Sequence, residues 1–93
     1  MMQDIIFIRQ PTVANTRMVY EFDVTGKQFL IKNLTEDDIH VGFSESNEVA
    51  DMIVIPGGCA QVLTGFNVSG SKNVVILPAA TSEKGVEVQC LRW

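Results

Sequence analysis

The sequence predicts an all-β fold, a small antiparallel β-sandwich or barrel of about eight short strands in a single domain, residues 1–93. Three observations lead there. Apolar residues recur with period two, as in Met18, Tyr20, Phe22 and Val24 set against Val19, Glu21 and Asp23. The remaining apolar runs are short, rich in β-branched residues and too brief for helices. Gly, Pro, Asn and Ser punctuate the chain between these runs.

The elements follow in order. A strand is expected over 3–9, around Ile5-Ile6-Phe7-Ile8, and a second over 17–24. Thr25-Gly26-Lys27 then reads as a tight hairpin into a strand at 28–33, whose Phe29-Leu30-Ile31 run suits burial on both faces. Thr35 to Asp38 offers one helical turn at most, with Thr35 as N-cap. Over 38–43, Ile39, Val41 and Phe43 share the apolar side while His40 and Gly42 take the other. A second short turn fits Ser46 to Ala50. The run Met52-Ile53-Val54-Ile55, in a strand at 51–55, again suits burial on both faces, and Pro56-Gly57-Gly58 marks a turn into a strand at 59–66. Ser69-Gly70-Ser71 breaks the chain before a strand at 73–77. Thr81 to Gly85 reads as a polar loop, and 85–91 closes the set with Val86, Val88 and Cys90 opposite Glu87 and Gln89.

Composition narrows the function classes. Hydrophobic residues at 46% against 19% charged exclude disorder as the main state. Seven Lys and Arg against eleven Asp and Glu give a net charge of −4. Nucleic acid and anionic membranes both need a basic surface, so neither is an expected partner. No run reaches the roughly 18 apolar residues of a membrane span. The first residues lack a basic stretch and a small-residue cleavage site, so no signal peptide is expected. A reducing compartment then leaves Cys59 and Cys90 as free thiols, expected to be small buried apolar residues. Asn33-Leu34-Thr35 and Asn67-Val68-Ser69 match the glycosylation pattern only by chance in that setting.

Chemistry-bearing residues are few. Glu36-Asp37-Asp38 lacks the shaped loop of a calcium site and reads as a solvated connection. His40, the single histidine, has no motif around it, nor has either Cys; a thiol enzyme would need His40 beside Cys59 or Cys90. Gly57-Gly58-Cys59 has no following Lys to make a phosphate cradle. No catalytic residue, cofactor, metal or small-molecule substrate is therefore expected. Of the aromatics, Phe29 and Phe43 read as core. The apolar ends stand out. Ile6, Phe7 and Ile8 lie in the first strand, and Leu91 and Trp93 continue the face of Glu87 and Gln89. These five are the candidate interface residues, seeking cover in the domain's own sandwich or against a neighbouring subunit.

Residues 26–93 also resemble small virion proteins of tailed bacteriophages, capsid-associated or head-fibre-like β proteins. The likeness rests on Gln28-Phe29-Leu30-Ile31-Lys32-Asn33 and Asp38-Ile39-His40-Val41-Gly42-Phe43. It continues through Ile55-Pro56-Gly57-Gly58-Cys59-Ala60-Gln61-Val62 and ends in Gly85-Val86-Glu87-Val88-Gln89-Cys90-Leu91. The resemblance implies an all-β, non-enzymatic structural protein located in the virion, which self-associates as a homo-oligomer or docks on capsid proteins, as a decoration protein does. Without it, the cytoplasm is the expected location. The alternative is a small binding module for a glycan or bacterial surface ligand, which would display Trp93, Phe66 or Tyr20 as an exposed aromatic cluster.

Overall fold

The computed structural model describes residues 6–44, 48–64 and 70–93. Expectations for Ile5, Ser46, Phe66, Asn67 and Ser69 lie outside those residues. Among the described residues are eight strands: β1 (Ile6–Thr12), β2 (Met18–Gly26), β3 (Gln28–Asn33), β4 (Ile39–Gly42), β5 (Ile53–Ile55), β6 (Ala60–Thr64), β7 (Ser71–Pro78) and β8 (Ser82–Arg92). A single 3₁₀ turn, Val49–Asp51, precedes β5 and overlaps the short turn expected there. The Thr35–Asp38 segment is a bend rather than a helical turn.

The strands form two antiparallel four-stranded sheets, ordered β1-β8-β3-β6 and β2-β7-β4-β5. We call these the first and second sheets. The pairings nest, first strand with last: β1 with β8, β2 with β7, β3 with β6, β4 with β5. That nested order is a double-sheet jelly roll, so the sandwich is realised and not the barrel.

The period-two pattern does the work expected of it. Phe29 and Ile31 of β3 and Val86, Val88 and Cys90 of β8 point inward from the first sheet. Tyr20 and Phe22 of β2, Ile39 and Val41 of β4, and Val74 and Ile76 of β7 meet them from the second. Phe29 stacks at a tilt on Phe22, with ring centroids 5.5 Å apart, and lies 6.1 Å from the Phe43 ring. The Tyr20 hydroxyl crosses between the sheets and donates to the Val86 carbonyl at 2.8 Å. Burial pushes its phenol pKa upward.

Three local expectations are corrected. Gly26 does not close a hairpin: β2 pairs with β7, and β3 with β8 and β6, so the turn carries the chain from one sheet to the other. A Cβ at Gly26 would strike the Phe29 ring, so the corner depends on a residue without one. The stretch Ile53–Ile55 is not buried on both faces, because β5 is an edge strand and only Ile55 of it is buried. Thr81 to Gly85 is not a loop. Residues 82–85 extend β8, with a register shift opposite Gln10–Thr12 and Gly85 at φ +64°. A side chain at Gly85 would collide with the Gln10 carbonyl and Pro11, so glycine is what lets β1 lie against β8 there.

A polar staple fixes the end of the sandwich where β5 turns into β6. Asn33, fully buried, donates its amide hydrogens to the carbonyls of Asp37 (2.8 Å) and Ile55 (2.9 Å). Its Oδ1 accepts from the Thr35 backbone N–H (3.0 Å) and hydroxyl (2.7 Å). The side chain thus joins β3, the acidic connection and β5, and an amide so engaged is not a glycan acceptor.

Candidate functional site

Strand register places side chains in rows across the outer face of the first sheet. Phe7 lies opposite Gln89, Gln89 opposite Leu30, and Leu30 opposite Val62. One continuous row, Phe7–Gln89–Leu30–Val62, therefore crosses all four strands, with three of its four members apolar. Phe7 is 51% exposed and Val62 47%. Beyond this row, β8 bulges: Cys90 opposes Phe29 while Arg92 opposes Gln28, leaving Leu91 as the extra residue. Leu91 is exposed, and so is Trp93 just past the strand.

The neighbouring row is ionic. Arg9 and Lys32 flank Glu87 from the strands on either side. Arg9 Nε lies 3.4 Å and Lys32 Nζ 3.7 Å from the Glu87 carboxylate. The Gln89 amide donates to the same carboxylate at 2.7 Å. Glu87 is buried beneath these neighbours although it sits on an outward face. The face thus combines an apolar band with a fixed line of alternating charge. An exposed apolar patch rimmed by fixed charges is the kind of surface that marks interaction sites in general.

The five residues singled out from the sequence divide. Ile6 and Ile8 point inward and pack against the core, whereas Phe7, Leu91 and Trp93 are exposed. Leu30 and Val62 were not singled out; their place in the row follows from register, which no local pattern encodes.

The other chemistry-bearing residues are not assembled. Cys90 points into the core from the first sheet, and burial raises its thiol pKa. His40 stands on the outward side of the second sheet, opposite Leu77 and Val54, so that sheet separates it from Cys90. Cys59 is exposed, not buried as expected, at the exit of the Pro56-Gly57-Gly58 turn. Tyr20 is fully buried and so cannot join an exposed aromatic cluster with Trp93. Among the described residues, no group of three or more His, Cys, Asp and Glu is placed to hold a metal ion. No helix among them is long and apolar enough to cross a membrane.

An open cleft of about 680 Å³ lies where β5 and β6 end the two sheets, walled by apolar Val41, Phe43, Ile53 and Leu63 and by polar residues such as Asp51 and Gln61. No known protein family, curated protein or solved structure matches the chain.

Proposed function

We propose that the chain is a non-enzymatic structural and assembly protein, a bacteriophage virion component that sits on or decorates the capsid through protein–protein contacts. The observation that carries this reading is the outward Phe7–Gln89–Leu30–Val62 row, exposed at both ends and half-buried between them, and continued by exposed Leu91. Covering each large apolar side chain contributes roughly 1.5–3 kcal/mol. A stable interface takes about 800 Å² from each partner, and the broad side of a molecule measuring 38 × 26 × 19 Å has that room. The jelly-roll order is shared by viral capsid domains, lectins and cupins. Fold by itself does not assign function, so the weight rests on the surface and on the resemblance to small phage virion proteins.

The test is cosedimentation of the purified chain with capsids built from the major capsid protein of the same genome. Binding that is lost on Leu30→Asp, with the fold retained, is the expected result. A folded chain, monomeric or not, that ignores those capsids overturns the proposal.

A further inference from the structure

The four outer strands of the sandwich are not equally protected. An edge strand exposes unpaired N–H and C=O groups, and proteins guard such edges with charge, proline or brevity. β1 carries Arg9 and Pro11, β2 carries Glu21 and Asp23, and β5 is only three residues long. β6 differs. Its sequence Ala60-Gln61-Val62-Leu63-Thr64 has no charge and no proline. It pairs with β3 on one side and ends the sheet on the other.

A second observation points to the same place. The cleft, lined by apolar and polar residues together, opens beside β6, and Ile53 of β5, on the inward side opposite Val41, is still 37% exposed there. An inward-facing side chain is thus left partly in solvent at the end of the sandwich whose edge strand carries neither charge nor proline.

We propose that two copies of the chain pair through β6, antiparallel about a two-fold axis at Val62, joining two four-stranded sheets into one of eight. This deepens the reading of the chain as an assembly protein and rests on it. The fully overlapping register sets Val62 against Val62, Gln61 against Leu63, and Ala60 against Thr64. No charge meets a like charge, which matters in a protein of net charge −4. A two-fold contact uses the same strand from both partners and closes on itself, so pairing stops at the dimer instead of running on into fibres. The apolar row becomes continuous from Phe7 of one copy to Phe7 of the other. Both clefts then lie along the shared seam.

Sedimentation velocity of the full chain over a wide concentration range tests this. The natural sequence is expected to dimerise. Val62→Lys and Val62→Glu, each at an exposed position, are each expected to weaken the dimer by about tenfold or more. An equimolar mixture of the two is expected to restore it, because opposite charges then face each other across the axis. Val13→Lys, at an exposed valine in the β1–β2 connection, is expected to leave the dimer intact. Thermal melting confirms that each variant is folded. A natural chain that remains monomeric, a Val62→Lys dimer of undiminished strength, or paired variants that fail to rescue each other would overturn the proposal. Protection of β6 amides from exchange only on capsids would also overturn it, in favour of a strand donated by the capsid protein. A monomer that still binds capsids removes the pairing and leaves the structural reading standing; a dimer that ignores capsids does the reverse.

Discussion

The two sheets treat their outward apolar residues differently. On the second sheet, Val19, Val75 and Gly42 form a row across β2, β7 and β4, and extending the register brings Met52 opposite Gly42. That row is covered by the chain itself: Val75 is 0% exposed and Met52 7%, although neither belongs to the central core. Val54, on the edge strand, is exposed on that side. The first sheet leaves Phe7, Val62 and Leu91 open. One face therefore packs its apolar row within the fold, and the other leaves part of its row in solvent. Apolar composition alone does not separate these roles; burial does.

The largest way to disturb the contrast is to detach β1 from the open face. Gly85→Ala places a Cβ against the Gln10 carbonyl in a left-handed backbone, and a loss of about 3 kcal/mol or more is expected in urea unfolding. Next, truncating the covered row is expected to cost far more than truncating the open one. Met52→Ala should lose about 2–3 kcal/mol by leaving a cavity, whereas exposed Val62→Ala should change stability by no more than about 0.5 kcal/mol. Equal losses at the two positions would erase the distinction between the faces.

Tyr20→Phe acts between the sheets and should affect both. Removing the bond to the Val86 carbonyl is expected to cost about 1–2 kcal/mol. The same residue gives the protein an alkaline limit. An unfolded tyrosine loses its proton near pH 10, while burial holds the folded one protonated beyond that. Stability is therefore complete below about pH 10 and falls as pH rises further, since the unfolded chain releases a proton that the folded chain keeps. Tyr20→Phe should flatten that decline in melts recorded from pH 9 to 11. The smallest effect on stability is expected from Phe7→Ser, within about 0.5 kcal/mol, together with loss of capsid binding in cosedimentation. A Phe7→Ser chain that binds capsids as before would move the contact away from this face.

Much of this molecule is legible in the sequence because alternation reports directly on which side chains share a face. Alternation puts Tyr20, Phe22, Val86 and Val88 inside and Leu91 outside, as the structure has them, whereas the unbroken run Ile5-Ile6-Phe7-Ile8 does not say which of its members faces out. Pairing is another matter. The turn at Gly26 looks the same whether the next strand folds back beside β2 or crosses to the opposite sheet, and only the nested topology decides it. The start of β8 was hidden by Ser82, Glu83 and Lys84, polar residues held in a strand by a glycine bulge. The outward row was half visible for the same reason. Leu30 sits in the apolar run Phe29-Leu30-Ile31, and nothing local reveals that its neighbours on the outer surface are Gln89 and Val62.

The nested pairing also sets an order of assembly. β4 and β5 are neighbours along the chain, whereas β1 must find β8 across almost its whole length. Closing so long a loop costs entropy that only a preformed inner hairpin and its partners can offset. Folding is therefore expected to start around β4–β5 and proceed outward, so that substitutions at Val41 slow folding while those at Ile8 mainly hasten unfolding, as stopped-flow chevrons would show. The row from Phe7 to Val62 runs from the β3–β6 pair, made early in that order, to the β1–β8 pair, made last, so its Phe7 end exists only once the whole chain has folded.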